Sequence, residues 1–410
     1  MHARLAAMMF MLYFAAGAIL PIMSHYLKNH LGFEPFQVGV VLAMPAVAAM
    51  VSPFWVALVA DRKVSAERLL ALCQLAAGGF MLVLAWQTTF WPFLLIYMAH
   101  ACLFMPCMGL TNTVTFHHAT DGKRHFAPIR AWGTAGWFAV AWCFGYFWLQ
   151  RNGDVAESRL PDALYVCAAT CAILGVYAFT LPRRFKPRDE PEPPRPADSL
   201  RVFLRPGLLV LCVLTLINGV LMQFYSYGAG PYLSAAGLGD EWILPALSVG
   251  QLTEMGVMAI MAFWLARYSI KTILVAGMVI QCFRFGIFAI TDSPWLILIG
   301  ISLHGFCYAF YFVTAYIYLD SHCRPQERAG AQQVYHIISA GLGMLIGGLS
   351  AGWAGEFATD AATGALDYQR FWLVAVVMSV AVTCVAVAFF KEGPPVARDT
   401  EAEGGARPSE

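Results

Sequence analysis

The stretch PALSVGQLTEMGVMAIMAFW, residues 245–264, holds a single carboxylate, Glu254, among mostly apolar side chains and no Lys or Arg. An acid in such a setting can carry a proton, accept hydrogen bonds from a polar ligand, or do both. Its plainer use is a hydrogen bond that ties helices together. A neutral glutamine would serve that purpose without the charging cost, which is at least about 2.5–3.5 kcal/mol at a bilayer centre. Gln251 lies three residues earlier, on the same helical face, so an amide and a carboxylate address one spot.

Other polar side chains interrupt apolar runs at helical spacing. In PIRAWGTAGW, Arg130, Thr134 and Trp137 follow one another at i, i+4 and i+7, setting a cation, a hydroxyl and an aromatic plane on one face. Such a stripe can hydrogen-bond a ligand and stack on a ring; the alternative for Arg130 is an interfacial anchor that snorkels to the headgroups. In INGVLMQFYSYGAGPYL, residues 217–233, Gln223 and Ser226 sit among aromatics, and GAGP is expected to break the helix. Tyr227 and Tyr232 fit an interfacial aromatic belt. In ISLHGFCYAFYFVTAYIYLD, His304, Tyr308 and Tyr311 fall on one face at i, i+4 and i+7. His304 reads equally as a satisfied core histidine or as a titratable group in the site. Arg284, in IQCFRFGIF, is a second cation within an apolar run, and an ion pair with Glu254 is one arrangement open to it. His100 and His336 read as packing residues.

These residues need helices to position them, and the composition supplies helices of one kind. Of 410 residues, 59% are hydrophobic and 12% charged, about half the charged share of an ordinary soluble domain. Twelve apolar spans are expected, at 5–23, 37–60, 69–86, 91–115, 129–149, 163–181, 203–226, 243–266, 271–290, 294–318, 329–352 and 371–390. Each is close to the ~20 residues needed to cross a bilayer, and helices cross because they satisfy their own backbone hydrogen bonds. The chain reads as an all-α membrane protein of 12 transmembrane helices. The first span is counted as a helix, not as a signal peptide, because it is long and eleven similar spans follow. Of the 25 acidic residues, all but Glu254 fall in loops, tails or the first turn of a span.

With the N-terminus inside, the inner segments hold 20 Lys and Arg residues and the outer loops four. That bias places both termini in the cytoplasm. The net charge of +1 points to no nucleic-acid partner, and no obligate protein partner is evident. Ten of the eleven cysteines lie in or beside spans and none pairs with another in outer loops, so no disulfide framework is expected. No cofactor and no metal site are expected. There is no GxxxxGK[ST] for direct ATP hydrolysis and no HExxH for an intramembrane metalloprotease.

The Pro-rich segment RRFKPRDEPEPPRPADSLR, residues 183–201, reads as a solvated linker. It separates six-helix bundles at 1–182 and 202–392, with a disordered cytoplasmic tail at 393–410. The halves echo one another: ALVADRKVSAERLLAL (57–72) against FWLARYSIKTILVAG (263–277), and KRHFAPIRAWGTAG (123–136) against RPQERAGAQQ (324–333). Paired six-helix repeats suggest a transporter whose site lies between them, near the midplane.

With ADRK after the second span, this arrangement resembles the major facilitator superfamily. Within it, MGLTNTVTF (108–116), PIRAWGTAGW (128–137), SVGQLTE (248–254), LARYSIK (265–271) and RAGAQ (328–332) are similar to the nucleoside:proton symporters. The resemblance covers most of spans two to eleven. It implies secondary active import of a nucleoside with a proton, by alternating access, in a bacterial inner membrane. It further implies substrate contacts at Arg130, Thr134, Trp137, Gln223, Ser226, Gln251, Glu254 and Tyr308, proton coupling at Glu254, and conformational control at Asp61 and Arg62. His304, Arg284 and Tyr311 stand as further candidates. The chain departs from the pattern at three places. Trp137 replaces a smaller aromatic, Ser226 an Asn, and Ala309 an acid beside Tyr308. Ser226 and Ala309 leave open the same fold carrying an aromatic acid or a sugar. A membrane receptor or enzyme without transport is the third reading.

Overall fold

The structure, a computed structural model, describes residues 1–60, 64–118, 122–151, 159–182, 201–324 and 327–393. The expected control residues Asp61 and Arg62 lie outside the described residues, as do the linker from 183 to 200 and the tail from 394. Among the described residues ten helices are long and apolar enough to cross a membrane, and a bent pair makes an eleventh. In chain order the elements are α1 (His2–His30), α2 (Pro35–Ala60), α3 (Ala66–Leu84), α4 (Phe90–His118) and α5 (Gly122–Val140, continued as a π-helix over Ala141–Leu149). Then come α6 (Asp162–Phe179), α7 (Pro206–Ala235), and α8 (Asp240–Ala259, bent by 50° into Met261–Arg267). The chain closes with α9 (Ile270–Ile290), α10 (Pro294–Ser321), α11 (Gly330–Ala358) and α12 (Tyr368–Phe389). With α5 these elements fill the twelve expected places.

The packing repeats itself. In the first half α1 packs on α5 and α6, α3 on α4 and α6, and α2 on α4. In the second half α7 packs on α11 and α12, α9 on α10 and α12, and α8 on α10. Each second-half pair is its first-half counterpart moved on by six helices. The two halves meet chiefly through α2 with α11 and α5 with α8, which exchange under the same shift. A site between them is therefore lined by both repeats.

The expected helix break at GAGP does not occur: α7 runs through Pro231 to Ala235. Proline removes the amide that would bond the carbonyl four residues back, here that of Tyr227. That carbonyl accepts a hydrogen bond from the Ser24 hydroxyl of α1 instead, so a partner in the other half replaces the missing bond. Tyr227 and Tyr232 are also not an interfacial belt. Both are buried, the Tyr227 hydroxyl donating to the Pro35 carbonyl at 3.0 Å and that of Tyr232 to the Phe288 carbonyl at 2.9 Å.

Several of these bonds join the halves at the face remote from the termini. There His25 meets Asp240 at 2.9 Å, Lys28 donates to the Tyr368 hydroxyl at 2.9 Å, and Asn29 reaches Ser234 at 3.4 Å. On the same side α2 and α11 touch backbone to backbone. A Cβ at Gly39 would meet the Gly348 carbonyl oxygen, and would lie 2.7 Å from the Gly352 Cα. Glycine packing of this kind is the usual means of close helix approach in lipid. At the opposite face, bonds such as Arg4 to the Thr180 carbonyl (2.7 Å) and Arg205 to Glu327 (3.0 Å) stay within one half. The conformation is closed on the side away from the termini.

Glu254 is half-buried; the fully buried acid among the described residues is Glu67, in the first turn of α3, where His118 of α4 bonds it at 2.8 Å. Their sequence positions gave no sign of this, because a first-turn acid ordinarily faces water. The eleven cysteines are all free.

Candidate functional site

Between the halves lies a cavity of about 380 Å³, lined by α1, α2, α4 and α5 on one side and by α7, α8, α10 and α11 on the other. That volume and a mainly apolar wall with few polar groups are typical of small-molecule sites. The polar lining comes from Gln223, Ser226, Ser248, Gln251, His304 and His336, and Trp137 supplies an aromatic plane. The wall is built on helices interrupted by π-turns: Ala141–Leu149 on α5, Tyr308–Val313 on α10 and Ile337–Gly343 on α11. Such turns re-aim side chains and recur at functional sites.

The sequence-predicted residues divide into tiers. Trp137, Gln223, Ser226, Gln251 and His304 reach the cavity wall. The Gln251 carbonyl oxygen is buried with no hydrogen-bond partner, and an unpaired acceptor of this kind costs about 1–3 kcal/mol until a donor arrives. The Gln223 amide donates across the halves to the Leu42 carbonyl at 2.9 Å, leaving its own oxygen for a ligand. Ser226 donates back to the Met222 carbonyl at 3.2 Å.

One helical turn further toward the termini, Glu254 lies within electrostatic reach of Arg130 from the opposite half, and Tyr308 within reach of both. Arg130 does not snorkel outward. Its guanidinium sits over the Tyr13 ring of α1, 4.0 Å from the centroid, and Thr134 is half-buried one turn along. A carboxylate, a cation and a phenol from α8, α5 and α10 thus lie within electrostatic reach of one another, outside the cavity wall. Such a cluster can exchange a proton for a hydrogen bond without leaving an isolated charge.

The tiers are held in register by a close contact of α8 with α10. A Cβ at Gly305 would meet the Glu254 backbone amide and would lie 2.7 Å from its Cα, whereas one at Gly286 would meet nothing within 4 Å. Backbone cannot swing aside as a side chain can, so Gly305→Ala is expected to cost about 1–3 kcal/mol by overpacking. The expected result is a lower unfolding midpoint of the purified protein and weaker substrate uptake, with Gly286→Ala close to wild type in both.

Three expectations need correction. Arg284 does not pair with Glu254; it is buried, and its Nη1 donates to His304 Nδ1 at 2.8 Å. Tyr311 does not join Tyr308 at the site, because the π-turn over Tyr308–Val313 breaks the 3.6-residue period. It is buried in the second half, 3.1 Å from the Thr215 hydroxyl and beside the Asn218–Gln281 pair. His336 is not a packing residue. It is exposed and lines the cavity, and a titratable residue inside a span was itself the signal that it faces an aqueous path. His100, by contrast, does pack, its Nδ1 bonded to the Ala77 carbonyl at 2.9 Å. Ala309 is fully buried in an apolar cluster with Val257, Met261, Ile273 and Phe310, surroundings that would penalise an acid.

The family model described as nucleoside H+ symporter matches residues 1–394. The transporter YegT of Escherichia coli (strain K12) is 30% identical over 95% of this chain and 94% of that protein. The xanthosine permease of the same organism is 27% identical over 90% and 91%. Among solved structures, the crystal structure of the nucleoside transporter NupG superposes with a TM-score of 0.85 at 23% identity, covering 96% of this chain and 99% of that one.

Proposed function

Because this chain belongs to the nucleoside H+ symporter family, and is thus a transporter and not an enzyme, we propose that it imports a nucleoside with a proton across a bacterial inner membrane. Both termini face the cytoplasm in this reading, so the closed face is the outer one and the structure is turned inward. The observation that carries the proposal is the stacked arrangement of two sites. A cavity with an unpaired Gln251 acceptor lies above a Glu254–Arg130–Tyr308 cluster drawn from both halves. Ribose hydroxyls would satisfy Gln251 and the free oxygen of Gln223, while a base stacks on Trp137.

Alternating access then needs the two ligands to favour different conformations, since a ligand that binds both equally shifts nothing. Glu254 takes a proton while the outer face is open. Loss of its charge frees Arg130, and substrate bound between the halves draws the outer contacts together. At the inner face the proton leaves Glu254, which again attracts Arg130 and weakens the hold on substrate. The family name of the matching model supports the coupling, and the position of Glu254 within electrostatic reach of Arg130 supports its assignment to that residue. The test is uptake of radiolabelled uridine by cells making the protein. The expected result is accumulation that collapses on adding a protonophore, and accumulation indifferent to the protonophore would overturn the coupling.

A further inference from the structure

The second half contains a buried cation that the transport cycle above does not use. Arg284 on α9 is 1% exposed, and among the described residues no carboxylate lies within ion-pair distance of it. Its Nε is buried without a partner. The guanidinium is held by ring faces, 4.4 Å from the Tyr225 centroid and 4.6 Å from that of Phe285, and by a bond from Nη1 to His304 Nδ1. Tyr225 in turn stacks on His304, ring centroids 5.0 Å apart and planes 19° apart. Both Tyr225 and His304 line the cavity, while Arg284 stands one layer behind them.

This geometry fixes what His304 can offer a ligand. A guanidinium only donates, so Nδ1 must accept with its lone pair, and the ring's one proton sits on Nε2. Adding a second proton would destroy the bond to Arg284. His304 is therefore a one-sided donor in the cavity wall, and the unneutralised cation behind it strengthens that donor toward any negative atom. Hydrogen bonds assisted by a charge are the strong ones. An exocyclic carbonyl oxygen satisfies such a donor; an exocyclic amino group in the same place presents N–H against N–H.

We propose that the Arg284–His304 pair selects nucleosides whose base carries a carbonyl at position 4 of a pyrimidine or position 6 of a purine, and rejects those with an amino group there. His304 is the contacting residue, and Arg284 is a positioning residue that fixes its tautomer and orientation. The inference rests on the nucleoside reading of the cavity. It differs from proton coupling, which is assigned to Glu254.

The test uses the full-length purified protein and two matched pairs, uridine against cytidine and inosine against adenosine, with affinities measured by calorimetry. Each pair exchanges a carbonyl for an amino group at one ring position. The expected result is tighter binding of the carbonyl member by about tenfold or more, because a site built around a buried donor leaves it unpaired with the wrong ligand. His304→Gln, whose amide can turn either its oxygen or its nitrogen to the ligand, should bring both ratios to within about threefold of unity. Arg284→Met should narrow them too, and as an apolar replacement of an unneutralised buried cation it should fold. Equal binding within both pairs by the wild type would overturn the proposal whether or not the variants fold. So would ratios unchanged in both variants. Binding of no nucleoside at all would overturn this proposal and the nucleoside reading together, whereas tight but indiscriminate nucleoside binding would overturn this one alone.

Discussion

Replacing Glu254 by Gln is expected to abolish uphill accumulation of nucleoside while leaving exchange of labelled for unlabelled substrate in place. The amide keeps the shape and one carbonyl acceptor of the acid but cannot gain or lose a proton, so the variant resembles the protonated state permanently. A membrane potential of about 100 mV supplies ~2.3 kcal/mol per proton, enough for roughly 50-fold accumulation. Without coupling, the inside-to-outside ratio falls to about unity, a loss of the whole of that factor. Accumulation and counterflow in the same cells check both halves of the prediction. Uphill accumulation by Glu254→Gln at the wild-type rate would make Glu254 a structural residue.

Gly39→Leu is expected to hold the outer face apart. At this position α2 touches the backbone of α11 at Gly348 and Gly352, and a leucine has no room unless the halves separate there. Overpacking costs about 1–3 kcal/mol. If only the outward-closed state bears that cost, the equilibrium moves roughly 5- to 150-fold toward the open one. Net uptake should drop by a comparable factor, while the purified variant still binds uridine, because the cavity residues themselves are untouched. Normal uptake by Gly39→Leu would mean that closure of this contact is not part of the cycle.

The ease with which the sequence can be read follows from how far apart the interacting residues stand. Apolar runs announce the spans because lipid imposes one requirement on each helix separately, and the lone acid in SVGQLTE is visible for the same reason. Pro231 misleads because a local rule is overridden by one distant hydroxyl, that of Ser24, which donates to the Tyr227 carbonyl in place of the missing amide. Tyr311 misleads because a π-turn changes the residue period within a helix, and no composition marks it. The pairs that close the outer face, His25 with Asp240 and Lys28 with Tyr368, join positions more than two hundred residues apart. Arg284 and His304 stand only 20 residues apart, yet the choice of His304 over Glu254 is made by the packing of α9 against α10. Sequence could nominate the charged residues in the spans; only the packed helices assign their partners.

The most direct measurement of the central claim is proton movement itself. Proteoliposomes holding the protein, with a pH-sensitive dye inside and no initial pH or potential difference, receive an inward uridine gradient. Acidification of the lumen with the wild-type protein, and none with Glu254→Gln despite continued uridine exchange, is the result predicted. Acidification of equal size with the variant would contradict the account.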